Sequence, residues 1–437
     1  MEMLRDILND LKEWKKSSER KPLIVRGARQ VGKSYIIREL GKSFQQFIEI
    51  NFEESPSYKE FFEGDFDIRK LLLNIEVATN KKIIPNETLV FFDEIQNCPN
   101  AITALRYFYE KMPNLHIIVA GSLIEFSIEN IGIPVGRVSS IYIYPMSFLE
   151  FLEALGEHSL SHLLKNHTIH HEIESKFHNK LLDYLKEYLI VGGMPEAVKS
   201  WVVSRDVSKV KIIHNDLIET YKQDFSKYAK KNQIKYLEKV FESIPTQLGH
   251  KFIFNHIDDS LKTRELRPAL ELLVKAQVAH MIYNSSGNGV PLGAEAELSF
   301  FKIILIDVAL TQTLLGLSTK DILLDFDNLF VNKGEIVEAF IGQELLAYSN
   351  PHHKHTLYFW QREKQGSRAE VDYLISKNQM IYPVEVKSGP TGHLKSMIQF
   401  LKEKKRDGQI GYHFSMQNFA STEKIKSIPL YAVAKIP

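Results

Sequence analysis

The chain has 437 residues, 44% hydrophobic and 25% charged, with 55 Lys and Arg against 54 Asp and Glu. That length predicts about two to four domains, the composition excludes disordered, collagen-like and low-complexity classes, and a net charge of +1 excludes a global field that draws the protein onto nucleic acid or an anionic membrane. A single cysteine, Cys98, rules out an intramolecular disulfide and suits a reducing, cytoplasmic setting; no stretch reads as a signal peptide or membrane span, since the most apolar one, residues 300–317, is broken by Lys302 and Asp307.

In chain order, Leu4, Ile7, Leu8, Leu11 and Trp14 form the stripe of an amphipathic helix that ends in a polar run at 15–21. Short apolar runs at 23–25, 47–51, 89–92, 116–120 and 141–144 then alternate with helical stretches. This pattern predicts an α/β domain with a mainly parallel sheet over residues 1–147. Residues 148–230 read as a helical lid, interrupted at Gly192, Gly193 and Pro195. Between 231 and 317, helices near 233–248 and 263–279, a polar turn at 283–290 and a strand at 298–306 give the helix, helix, hairpin order of a winged-helix module. Lys262, Arg264, Arg267 and Lys275 lie on one side of its second helix and read as an interdomain brace rather than a DNA reader, because Glu265 and Glu271 intervene. The last unit, 318–437, begins with a helical run through Ala347, followed by strands at 356–360, 371–375 and 381–386 and a helix at 393–405. Its Lys402, Lys404, Lys405 and Arg406 form a local basic patch, and the histidine clusters at 167–171 and 352–355 read as solvated faces.

The strand at 23–25 runs directly into Gly27-Ala28-Arg29-Gln30-Val31-Gly32-Lys33-Ser34, which fits the phosphate-loop pattern G-x-x-x-x-G-K-[ST]. In such a loop the backbone amides of Gly27, Ala28, Arg29, Gln30, Val31 and Gly32 wrap phosphate oxygens. The helix that follows adds the positive end of its dipole, Lys33 reaches the terminal phosphates, and the Ser34 hydroxyl ligates Mg²⁺. The strand at 88–92 ends in Asp93-Glu94: Asp93 holds Mg²⁺ through water, and Glu94 orients and deprotonates the attacking water. ATP is the expected nucleotide, because no N-K-x-D base-reading sequence for GTP occurs. Ser122, after the strand at 116–120, is either a γ-phosphate sensor or a helix N-cap, and Arg137 is either an arginine finger for its own or a neighbouring subunit's nucleotide or a structural ion-pair partner.

Towards the C-terminus, Val371-Asp372-Tyr373 and Val384-Glu385-Val386-Lys387 flank a turn within 376–379. With a two-residue loop, at 377–378 or 378–379, Asp372 stands opposite Pro383 or Glu385, and both carboxylates share one face with Lys387, whereas a three-residue loop would reverse the parity and separate them. Two acids and a lysine there, with Glu338 from the preceding helix as a third carboxylate, form a candidate Mg²⁺ site for phosphodiester chemistry; the competing reading is the charged face of an ordinary hairpin.

Together, Gly-Ala-Arg-Gln-Val-Gly-Lys-Ser, the Phe-Phe-Asp-Glu-Ile-Gln strand end, Tyr144-Pro145-Met146-Ser147-Phe148, Gly192-Gly193-Met194-Pro195-Glu196-Ala197 and the segment 284–293 resemble the prokaryotic ATPases of the AAA+ superfamily that carry a C-terminal domain of unknown function 4143. The resemblance covers almost the whole chain. It implies a P-loop NTPase core with a helical lid, and a terminal domain similar to the restriction-endonuclease-like PD-(D/E)XK fold. The acidic pattern of that fold lands on Asp372, Glu385 and Lys387, with Glu338 as the helical acid, although Val371 stands where the superfamily's name has proline. It also implies that Gly192-Gly193-Met194-Pro195 belongs to the lid at the nucleotide. The expectation that follows is an ATP-hydrolysing switch coupled to a metal-dependent nuclease-like module, with DNA as its polymer and a homo-oligomer as its assembly. The alternative is a signalling or scaffold ATPase whose terminal domain binds nucleic acid or protein without cleaving it.

Overall fold

In a computed structural model, residues 3–64, 66–317, 334–362, 369–387, 394–404 and 409–436 are described. They form two compact units: Leu4–Tyr144 with Asn350–Lys354, and Met1–Met3 with Pro145–Ser349 and His355–Pro437.

The first unit is built on strands β1 (Leu23–Arg26), β2 (Gln46–Asn51), β3 (Thr88–Asp93), β4 (His116–Ala120) and β5 (Ser139–Tyr142). They pair in parallel in the order β2-β3-β4-β1-β5. β1, β3 and β4 are buried along their whole length, as their unbroken apolar runs demand of central strands covered on both faces. β5 begins two residues earlier than its apolar run predicts, because an edge strand keeps Ser139 and Ser140 in register with Leu23 and Ile24 while burying only Ile141. Five helices cross between these strands or flank them: α1 (Ile7–Lys16), α2 (Lys33–Gly41), α3 (Ile68–Thr79), α4 (Pro99–Lys111) and α5 (Ile124–Ile131). The predicted stripe of α1 buries Leu11 and Trp14.

The second unit opens with helices α6 (Phe148–Ala154), α7 (His158–Asn166), α8 (Ser175–Val191), α9 (Pro195–Ser204), α10 (Val207–Tyr228), α11 (Ile234–Ser243) and α12 (Thr263–Lys275). Its sheet contains β6 (Ala279–Ser285), β7 (Ala296–Leu305), β8 (Leu357–Gln361), β9 (Glu370–Lys377), β10 (Met380–Val386), β11 (Gly411–Ser415), β12 (Ala420–Ser421) and β13 (Ile425–Pro429). Helices α13 (Val308–Leu314), α14 (Gly334–Ala347) and α15 (Lys395–Lys404) lie between strands in the sequence. The strand order is β12-β13-β11-β10-β9-β8-β6-β7.

Two sequence expectations change here. The helix, helix, hairpin order at 231–317 is present, but the hairpin is no free wing: β6 pairs in parallel with β8, so β6 and β7 belong to the same eight-stranded sheet as the strands after residue 318. The helix predicted to reach 279 stops at Lys275, where Gln277 takes a left-handed φ of 60° and turns the chain into β6. Lys405, Arg406, Ser318 and His393 lie outside the described residues. No described helix is long and apolar enough to cross a membrane.

Candidate nucleotide site and acidic cluster

β1 delivers the chain into the loop at Gly27, whose φ is 152° and where an added Cβ would lie 2.5 Å from the Ile143 carbonyl oxygen. Only glycine fits that approach. Gln30 and Gly32 take left-handed φ values of 65° and 93°, and α2 starts at the next residue, so the loop curls tightly against a helix N-terminus, leaving Ala28 and Val31 buried and Arg29 at its partly exposed rim. Arg5 braces the loop: its guanidinium donates to the Val31 carbonyl at 3.0 Å and to the Tyr144 carbonyl at 2.7 Å. Lys33 is only 7% exposed and donates to the carbonyls of Gly27 (2.9 Å) and Ala28 (2.7 Å). Burial pushes its ammonium down to about 8, partly offset by the charges of Glu94 and Asp93.

The order of the sheet places β4 between β1 and β3, which brings the second set of residues together. The Ser34 hydroxyl donates to Asp93 Oδ2 at 2.7 Å, and burial raises the Asp93 pKa. Glu94 sits at φ 48°, an unusual backbone for a residue with a side chain, and its Oε2 accepts from the Ser122 hydroxyl at 3.1 Å and from the Gln96 amide at 2.5 Å. Gln96 is itself wedged in place: a Cβ on Gly121 would stand 2.0 Å from its Oε1. Arg137 is not gathered with these groups; its Nε lies 3.3 Å from Glu110 Oε1 on α4, which Arg106 also contacts at 3.1 Å.

In the second unit the hairpin turn is Asn378-Gln379, with both residues at positive φ and Lys377 paired to Met380. Of the loops the spacing allows, this is the one whose register, continued one residue past Val384–Tyr373, sets Asp372 opposite Glu385. Asp372 Oδ2 accepts from the Val386 N–H at 2.7 Å, while Glu385, 3% exposed, pairs through Oε1 with Lys387 at 2.6 Å. Burial, with the charge of Glu338 next, raises the Asp372 pKa well above the carboxylate range. Glu338 Oε1 meets the ammonium of Lys302 on β7 at 2.9 Å, and the same ammonium lies 2.5 Å from Glu370 Oε1. Among the described residues, no group of three or more His, Cys, Asp or Glu side chains is arranged to hold a metal ion.

Residues 19–152 match the family described as AAA domain. Residues 182–321 and 333–433 match two domains of unknown function, DUF8612 and DUF4143. No protein of curated function matches the chain. Among solved structures, the Walker-type ATPase PABY2304 of Pyrococcus abyssi is 16% identical with a TM-score of 0.46, over 72% of this chain and 96% of its own. The Orc1 protein of Aeropyrum pernix in complex with DNA is 11% identical with a TM-score of 0.29, over 72% of this chain and 92% of its own.

Sequence reasoning missed Gln96, Arg5, Lys302 and Glu370 in these two places. Gln96 follows the acidic pair of the AAA domain by two residues, and that proximity was the available signal. Arg5 precedes the matched segment and carries no local signal, since its partners lie 26 and 139 residues away. Lys302 belongs to the DUF8612 segment, whereas Glu338, Glu370, Asp372, Glu385 and Lys387 belong to the DUF4143 segment. The motif Gly192-Gly193-Met194-Pro195 lies in the second unit: Gly193 N–H donates to buried Asp307 at 2.7 Å, and its carbonyl accepts from Met146 N–H at 2.7 Å.

Proposed function

We propose that the protein is an ATP-hydrolysing switch in which the loop Gly27 to Gly32 and Lys33 bind the phosphates, Ser34 and Asp93 hold Mg²⁺, and Glu94 activates water. The observation that carries this reading is the pairing of Ser34 with Asp93 at 2.7 Å beside a carboxylate, Glu94, held at a fixed position by Ser122 and Gln96. A hydroxyl and a carboxylate in contact are the oxygen donors a hard cation takes from a protein while keeping most of its water, so the residues fit Mg²⁺. When bound, Mg²⁺ supplies neutralisation of phosphate charge. Lys33 then exchanges two loop carbonyls for phosphate oxygens, a charge-assisted contact in place of neutral ones. Glu94 takes the proton of the attacking water, and Ser122 and Gln96 orient its carboxylate rather than touching substrate.

The second unit is the output of the switch. The restriction-endonuclease-like reading of the segment that matches DUF4143 rests on the sequence pattern of Asp372, Glu385 and Lys387 and makes DNA the polymer to test. The surroundings of Lys302 favour nucleotide-controlled binding over metal-dependent cleavage. Arg137, paired with Glu110 in its own chain, is the group to test for action on a neighbouring subunit in a homo-oligomer.

The deciding experiment is Glu94→Gln. The amide keeps the shape and loses the base, so ATP binding should persist while turnover falls by about a hundredfold or more. Turnover at the parent rate would remove Glu94 as the base and the hydrolytic reading with it.

A further inference from the structure

The carboxylates that the sequence groups as metal ligands are present in the second unit, yet each is already engaged. Asp372 Oδ2 accepts from the Val386 N–H, Glu385 Oε1 is paired with Lys387, and Glu338 Oε1 is paired with Lys302. A further carboxylate, Glu370, closes on Lys302 from the start of β9. Lys302 is 1% exposed, and its ammonium stands 5.0 Å from the centre of the Phe359 ring on β8. Such an ammonium cannot exchange with solvent ions, because its carbon chain holds it between the two acids. One atom in the cluster is unspent: Glu385 Oε2 is buried and has no hydrogen-bond partner among the described residues. That orphan is the feature a cation would satisfy, but a hard divalent ion needs several oxygens at once, and Glu338 Oε1 and Glu370 Oε1 are taken by Lys302, Glu385 Oε1 by Lys387 and Asp372 Oδ2 by the Val386 N–H.

We propose that Lys302 is a built-in cation that takes the place of a divalent metal in this cluster, so that Glu338 of α14 and Glu370 of the hairpin are held by the protein's own ammonium and the cluster recruits neither Mg²⁺ nor Mn²⁺. The device also joins parts of the chain that the sequence separates: β7 supplies the cation, and α14 and β9 supply the anions. A fixed monovalent charge stabilises the buried acids without offering the open coordination position that activates a water for hydrolysis. The cluster is therefore a structural ion-pair core, and its inference stands independently of ATP hydrolysis in the other unit.

The test uses the full chain without nucleotide, in an Asp93→Asn background so that the phosphate-loop site does not contribute. With Lys302 in place, Mn²⁺ at millimolar concentration should leave the melting temperature unchanged. Adding Lys302→Met should expose Glu338, Glu370 and Glu385 Oε2 as a donor set, and Mn²⁺ should then raise the melting temperature by several degrees, an effect that Glu385→Gln abolishes. If Lys302→Met is unfolded without metal, folding on addition of Mn²⁺ supports the proposal and failure to fold overturns it. The proposal is also overturned if Mn²⁺ stabilises the chain that retains Lys302 and Asp372→Asn removes that effect. Mn²⁺-dependent cleavage of DNA by the parent chain, lost in Lys387→Ala, would overturn it as well.

Discussion

The two units each bury a lysine beside carboxylates, and the two lysines are in opposite electrostatic states. Lys33 touches only neutral carbonyl oxygens of its own loop, and desolvation pulls its pKa down to about 8. Lys302 is still less exposed, yet the charges of Glu338 and Glu370 outweigh the cost of burial and push its pKa up. Burial penalises both ammonium groups, and the sign of the shift is decided by whether a full negative charge is in contact. The difference teaches that Lys33 carries a charge committed to no carboxylate, whereas Lys302 is already neutralised and has none to offer a ligand.

The sharpest way to break this comparison is to remove each charge in turn. Lys33→Ala leaves bound phosphate uncompensated and should weaken ATP binding at least about tenfold, on the order of 1.4 kcal/mol. Lys302→Met, by contrast, should leave the dissociation constant for ATP unchanged in any variant that folds. Equal losses from both substitutions, measured by titration calorimetry, would abolish the distinction.

Changing pH tests the same contrast without a mutation. With the pKa of Lys33 near 8 in the free protein, the ammonium is present below that value and lost above it, while bound phosphate favours the protonated form. ATP binding above pH 8 must therefore take up a proton, and affinity should be flat at lower pH and fall towards tenfold per unit as pH rises past about 8. The raised pKa of Lys302 keeps it charged throughout this window. A binding curve that stays level up to pH 10 would mean that Lys33 keeps its proton without phosphate.

A smaller effect is expected from Gln96, which touches Glu94 and not the phosphate loop. Gln96→Ala should lower kcat by about fivefold through a less fixed base, with ATP affinity unchanged. Gln96→Glu should move the acid limb of the pH–rate profile upward, because a second carboxylate beside Glu94 favours its protonated form. A simple loss of packing would not shift that profile.

The phosphate loop was legible because its requirements are local. Gly27 and Gly32 are needed where the backbone takes φ values closed to other residues, and Lys33 and Ser34 follow at the start of the helix. The central strands announced themselves by unbroken apolar runs, and the hairpin by the strand pattern on either side of 376–379, although only the structure chose the turn at 378–379. The acids of the hairpin were legible one by one, but their state was not. Lys302 and Asp307 looked only like interruptions of an apolar stretch, although Lys302 holds two acids and Asp307 caps α13 and accepts from Gly193. β11 and β13 gave no separate signal, since they are short strands whose partners lie elsewhere in the chain.

By itself, then, the sequence determined where the phosphate-loop pattern lies and, given a two-residue turn, which carboxylates share a strand face, because both follow from spacing along a few residues. Only the tertiary structure decided which charges meet: that β6 would spend its edge on β8, that Lys302 would reach Glu338 36 residues away, and that Gln96 would be wedged against Gly121 to hold Glu94. Charges act through space over a few ångströms, and strand pairing across the sheet sets those distances regardless of separation along the chain.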